Sequence, residues 1–171
     1  MSGMLDRPLI LTPDGLRLVA VHQKVVETIE GWVERGSRSR EAGGILIGSH
    51  RGDHVEVTDC TVPMRRDART RTLFDRVDGG HQDAAIRAWR SSGGTDTYVG
   101  EWHTHPEAHP SPSLLDRWTW GRIMRRSREP LVFAIGGWDS CWWGLGVDAR
   151  VRAMRMLSSG SDGAGRCLGA I

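Results

Sequence analysis

A chain of 171 residues with 39% hydrophobic and 26% charged residues has the composition of one globular domain, long enough to bury an ordinary core. Its formal net charge of +2 is too small to argue for nucleic acid, and no apolar run approaches the ~18 to 20 residues of a membrane span, so neither partner is expected. Cys60, Cys141 and Cys167 are odd in number and lack C-x-x-C spacing, which disfavours a disulfide framework or a structural zinc knot, and with no basic-then-apolar leader suits a reducing cytoplasm.

In chain order, residues 16–21 (LRLVAV) read as a strand, and residues 21–35 read as an amphipathic helix, with Val25, Val26, Ile29 and Val33 near helical spacing. EAGGILIGSH and HVEVTDCTV read as two strands joined through Arg51-Gly52-Asp53, a tight hairpin turn. Residues 63–77 form a loop or irregular strand carrying Arg65, Arg66, Arg69 and Arg71, which serve either as a solvated loop or as partners for acidic groups. A second helix spans residues 79–89 and stops at Ser91-Ser92-Gly93-Gly94. YVGEWHTH is a strand, LLDRWTWGRIM a helix, and PLVFAIGGW with CWWGLGV an aromatic-rich hairpin; residues 150–157 read as a last strand or helix. The expected architecture is one α/β (α+β) domain over residues 1–157, a mixed central sheet flanked by helices, with a flexible tail at residues 158–171.

Chemistry concentrates around GEWHTHPEAHPSPSLLD. Residues i and i+2 of a strand share a face, so His103 and His105 can meet one metal ion. The Pro-rich stretch that follows cannot continue the strand, and Ser113 stands where a helix N-cap belongs. Asp116, three residues on, completes a capping box and can also supply a third ligand, leaving a fourth position open as in catalytic zinc sites. Both roles are expected together. By strand parity Glu101 shares the face of the histidines as a supporting group, and Trp102 points away behind the site. Trp120, one helical turn after Asp116, belongs at the pocket wall. His109 is an exposed loop residue, a spare ligand or a substrate contact, and His50 and His54 flank a surface turn.

The set Glu41, then His103-x-His105-x(7)-Ser113-x-x-Asp116, resembles the JAMM metalloproteases of the MPN-domain superfamily, which hydrolyse bonds at the C-terminus of ubiquitin and its relatives. The resemblance covers about residues 38–147. It implies an MPN-like (cytidine-deaminase-like) fold, Zn²⁺ held by His103, His105 and Asp116, Glu41 as the proton shuttle, and Ser113 as hydrogen-bond donor to the oxyanion or the water. Phe74-x-Arg76, His81, Tyr98-x-Gly100-Glu101-Trp102 and the Pro-Ser before Asp116 are similar to bacterial peptidases encoded beside E1- and E2-like proteins in antiphage operons, CBASS among them. That similarity implies a ubiquitin-like modifier or a conjugated nucleotidyltransferase as substrate, the operon's E1/E2-like enzymes as partners, and Phe74, Arg76 and His81 as substrate contacts. Two other functions stay open: a JAMM peptidase processing a sulfur-carrier protein in metabolism, and a noncatalytic MPN scaffold. Lys24 is the sole lysine among 23 basic residues, read either as GC-rich codon bias or as protection beside a lysine-conjugating machine.

Overall fold

The computed structural model describes residues 7–158. Eleven strands and three helices follow the chain as β1 (Leu9–Thr12), β2 (Val19–Val21), α1 (Gln23–Trp32), β3 (Gly43–Arg51), β4 (His54–Cys60), β5 (Ala68–Arg69), β6 (Phe74–Asp75), α2 (Gly80–Ser91), β7 (Thr97–Thr104), α3 (Leu114–Met124), β8 (Leu131–Gly136), β9 (Cys141–Val147), β10 (Arg150–Ala153) and β11 (Arg155–Ser158). Nine strands form one mixed sheet in the order β10-β9-β8-β7-β3-β4-β2-β1-β11, parallel at β2–β4 and β7–β8, and β5–β6 is a separate hairpin. β10 pairs with β9 and β11 pairs with β1, so a single chain segment, residues 150–158, joins the two ends of the sheet and covers edges that would otherwise expose unpaired backbone.

β8 shows how one strand serves two cores. Val132 and Ala134 join α1, whose Val25, Val26 and Ile29 are fully buried, in the larger cluster. Leu131, Phe133 and Ile135 alternate to the other face, where Trp120 and Met124 of α3 cover them. β7 departs from strict alternation. Its register on β3 shifts between Leu46 and Ile47, and the position takes Gly100 because the backbone there has φ 149° and a Cβ would lie 1.7 Å from the Val132 carbonyl oxygen. This bulge lets Val99 and Trp102 both face the α1 core, while Glu101 and His103 face α3.

Several boundaries differ from the sequence reading. The first strand is β1, unread from the sequence, and β2 starts at Val19 rather than at residue 16. Between them Pro13-Asp14-Gly15 turns, with the Asp14 carboxylate accepting from the Leu16 and Arg17 amides. α1 ends at Trp32 because Val33 is already extended (φ −71°, ψ 113°). Residues 150–157 are strand, not helix. The tail from residue 159 onward lies outside the described residues.

Candidate active site

Glu41 sits two residues before β3 and is approached from three sides. Its N–H donates to the Thr70 carbonyl (2.7 Å), its own carbonyl accepts from Arg69 Nε (2.8 Å), and the Phe74 backbone N–H lies on the side of its carboxylate and favours the ionised form. The next residue is fastened to the metal strand: Ala42 N–H donates to Thr104 Oγ1 (2.9 Å), and Thr104 N–H donates to the Ala42 carbonyl (2.8 Å). Thr104 lies between the two histidines, so Glu41 is indexed directly to them. The Gly43-Gly44 pair after it has a packing reason. A Cβ at Gly43 would lie 2.4 Å from the Phe74 ring and 2.6 Å from the Trp102 carbonyl, and one at Gly44 would lie 2.1 Å from the Thr61 carbonyl.

His103 is on β7 and His105 just past its end, where its N–H donates to the Gly136 carbonyl (3.0 Å). Asp116 arrives from the first turn of α3. The Ser113 hydroxyl accepts from Asp116 N–H (3.1 Å), and Asp116 Oδ2 accepts from Ser113 N–H (2.7 Å), so the capping box expected from sequence forms. The Ser113 hydroxyl proton is directed to Asp116 Oδ2 (2.7 Å), a contact that orients a carboxylate able to serve as a ligand.

His103 Nε2 lies 3.1 Å from His105 Nε2 and 3.1 Å from Asp116 Oδ1, and His105 Nε2 lies 3.4 Å from Asp116 Oδ2. Bonds of about 2.0 to 2.1 Å to a tetrahedral centre require ligand atoms about 3.3 Å apart; the two imidazole nitrogens and their nearest Asp116 oxygens stand near that spacing, and one ligand atom from each residue lies within 4.8 Å of the other two, a set that can close on one ion. Among the described residues this is the one His/Cys/Asp/Glu group gathered within metal-binding reach. Burial would raise the Asp116 carboxyl, but hydrogen bonds from His103 and His105, their charge and the Ser113 hydroxyl hold it well below the usual carboxylate range. Burial disfavours a charged His105, yet hydrogen bonding and charge from Asp116, then Glu41 and Glu107, hold its imidazole above the ordinary value. Burial pushes the Glu41 carboxyl up, opposed by His103 and His105. A proton acceptor of raised pKa beside an ionised ligand set is the arrangement of metal-assisted hydrolysis.

The site opens into a cleft of about 490 Å³, walled by residues 72–76 on one side and by Leu115, Thr119, Trp120 and Ile123 of α3 on the other. Phe74 and Arg76, named from sequence, line it, and Arg76 donates to Glu101. Trp120 stands at the wall, stacked on Phe133 and Trp142, while Trp102 is buried in the α1-side core with its indole N–H on the Thr61 carbonyl (2.9 Å).

His81 is not brought to the cleft. Its side chain is fully buried, Nδ1 2.6 Å from Thr61 Oγ1 and Nε2 2.8 Å from Asp67 Oδ2. Asp67 also accepts from the amides of Met64, Val77 and Asp78. Thr61 Oγ1 in turn accepts from Ile45 N–H (2.9 Å), which leaves its own proton for His81 Nδ1 and assigns the ring proton to Nε2. This Thr–His–Asp line, out of reach of solvent, clamps both ends of the segment carrying β5–β6 onto β3. The loop arginines are partly committed as well: Arg69 pairs with Glu34 (3.2 Å) over the Trp32 ring, and Arg71 donates to the Gly36 and Ser37 carbonyls. His109 contacts Ser140 Oγ (3.0 Å) rather than the metal triangle, and His50 Nε2 meets the Pro130 carbonyl (2.7 Å).

A His-His-Asp triangle with a buried glutamate beside it, at the ends of the interior strands β7 and β3, defines a metalloprotease-type hydrolase. Residues 23–156 match the family described as prokaryotic homologs of the JAB domain, and the chain belongs to it. It is 40% identical over 126 residues, 72% of this chain and 80% of the other, to a CD-NTase/cGAS isopeptidase of Pseudomonas aeruginosa. A protein of the same name from Vibrio cholerae is 36% identical over 136 residues, 80% and 87% of the two chains. A probable metalloprotease, y4qB, of Sinorhizobium fredii is 31% identical over 134 residues, 74% and 80%. Family and donor set together imply a metal ion and hydrolytic activity. Among the described residues no helix is long and apolar enough to cross a membrane.

Proposed function

We propose that this chain is a zinc isopeptidase that cuts after the C-terminal residue of a protein joined through that terminus to an amine, acting in an antiphage operon of the CBASS type. The conjugated protein is a nucleotidyltransferase of the CD-NTase/cGAS class or a ubiquitin-like modifier, and the operon's E1- and E2-like enzymes are the partners that make the bond. The observation that carries this is the buried Glu41 carboxylate facing the His103–His105–Asp116 triangle, in a chain whose relatives are named isopeptidases of such proteins.

When bound, zinc supplies a water of lowered pKa and polarises the scissile carbonyl. Glu41 accepts the proton released as the water oxygen bonds to the carbonyl carbon, and returns it to the leaving nitrogen as the C–N bond breaks, so a neutral amine and a carboxylic acid product result. The Phe74 amide and the backbone contacts of Glu41 hold that carboxylate in place. Ser113 orients Asp116 and, by rotation of its hydroxyl, reaches a developing oxyanion. The tail of the conjugated protein lies as an added strand beside β6.

The test is cleavage of fusions between such a tail-bearing protein and a reporter by zinc-loaded enzyme, scored by gel and intact mass. Release after the tail's last residue, with little cutting of unrelated short peptides, is expected. No cleavage of any fusion would reject the isopeptidase reading.

A further inference from the structure

Away from the metal the cleft runs on into a second concavity of about 480 Å³, and Arg76, Thr119 and Ile123 line both. Leu115, Thr119 and Ile123 recur every four residues and form the α3 wall of the cleft. The neighbouring row, Trp118 and Arg122 on α3 with Arg126 in the turn beyond it, lines the second concavity. Trp118 is 59% exposed, a high figure for a tryptophan, and the Arg122 guanidinium lies over its ring at 4.9 Å, which holds the cation in place. Glu101 neutralises Arg76, but Arg122 and Arg126 are exposed and have no carboxylate partner among the described residues. The concavity therefore offers unneutralised cations and an aromatic wall, in line with the place where the bond is cut.

The direction of the tail follows from the hairpin. The Phe74 ring packs against Gly43, which pairs with His103, whereas Arg76 opens onto the second concavity. A tail whose C-terminal carbonyl reaches the metal triangle enters past Arg76 and runs antiparallel to β6. Along α3, Asp116 to Arg122 is about 9 Å and Asp116 to Arg126 about 15 Å at 1.5 Å per residue; an extended tail covers these distances in about three to five residues.

On the reading of the site given above, we propose that Arg122 and Arg126, backed by Trp118, form a specificity site for acidic side chains about three to five residues before the scissile bond. Acidic tails are selected and basic tails rejected, although no residue of this row contributes to the chemistry.

The test needs no turnover. Three synthetic peptides with a free C-terminal carboxylate, identical except for Asp, Ala or Lys at the third to fifth positions from the end, are titrated into metal-loaded protein while the Trp118 indole N–H resonance is followed. The Asp peptide is expected to bind about three- to tenfold more tightly than the Ala peptide, the scale of two or three exposed ion pairs, and the Lys peptide more weakly than either. The Arg122→Ala/Arg126→Ala variant should erase the difference, and Arg122→Glu/Arg126→Glu should invert it, both with unchanged affinity for the Ala peptide. Equal affinities for all three peptides, or no shift of Trp118 at about 1 mM peptide, would overturn the proposal. Retained acidic preference with no fusion cleaved rejects the isopeptidase reading alone, and fusion cleavage indifferent to tail charge rejects the acidic site alone.

Discussion

Gly43→Ala is a substitution of one methyl group whose consequences spread through the site. The added carbon would stand 2.4 Å from Phe74 Cδ1 and 2.6 Å from the Trp102 carbonyl oxygen, against ordinary contact distances of about 3.5 to 4.0 Å. The Phe74 ring has to retreat by more than about 1 Å, and because the Phe74 N–H favours the ionised Glu41 carboxylate, the proposed proton shuttle loses that support. Overpacking of this kind costs about 1 to 3 kcal/mol, or a Tm lower by roughly 3 to 10 °C for a domain of this size. Turnover should fall further than stability, since the same methyl group presses on β7 beside His103 as well as on Phe74. Gly31→Ala is the matched control: nothing lies within 4 Å of its Cβ on the exposed side of α1, so Tm should rise slightly, by the equivalent of about 0.5 to 1 kcal/mol. Differential scanning calorimetry, metal content and fusion cleavage measured on both variants decide the matter. A Gly43→Ala protein with parental Tm and parental rate would refute the link between the hairpin and Glu41.

Asp67→Asn leaves the shape but removes an anionic acceptor of four hydrogen bonds from a side chain with no solvent contact, and should cost roughly 2 to 4 kcal/mol by chemical denaturation. Burial opposes ionisation of Asp67, but its backbone donors and His81 hold its pKa below the ordinary value; its contribution is therefore present above about pH 4 and lost as pH falls through the folded value, so the variant should have a flatter acid limb. Arg69→Ala frees the Glu41 carbonyl and should lower kcat while leaving metal content intact. Because His105 in the metal-free protein favours its proton more than an ordinary imidazole, metal affinity should weaken as pH falls, starting above about pH 6.5; chelator competition between pH 5.5 and 8 would show it, and a flat profile would count against it.

What could be read from the sequence was what local chemistry specifies. Ser113-x-x-Asp116 marks the start of α3 without help from amphipathicity, which is weak there because Leu114, Leu115 and Trp118 are exposed while Trp120 and Met124 are buried. H-x-H on a strand, followed by a chain reversal, carried the donor set, and Arg51-Gly52-Asp53 carried the β3–β4 hairpin. Contacts between distant residues were not legible. β1 is four residues long and exists through its pairing with β2 and β11, and nothing near residue 150 says that one segment joins both ends of the sheet. His81 was implied as a substrate contact by resemblance alone, and its actual partners, Thr61 and Asp67, lie 20 and 14 residues away, beyond what local pattern shows. The arginines of residues 63–77 drew attention by density, yet Arg69 and Arg71 are spent on the protein's own backbone and carboxylates, while Arg122 and Arg126 form a row only once α3 is folded beside β6.

His103, His105 and Asp116 should hold the metal, and Glu41 should not. Metal per chain, measured by inductively coupled plasma mass spectrometry on parent, Glu41→Gln and Asp116→Ala proteins loaded in parallel with zinc, separates the two roles. One equivalent in the parent and in Glu41→Gln, with little or none in Asp116→Ala, is the predicted result. Loss of metal from Glu41→Gln, or a full equivalent in Asp116→Ala, would contradict it.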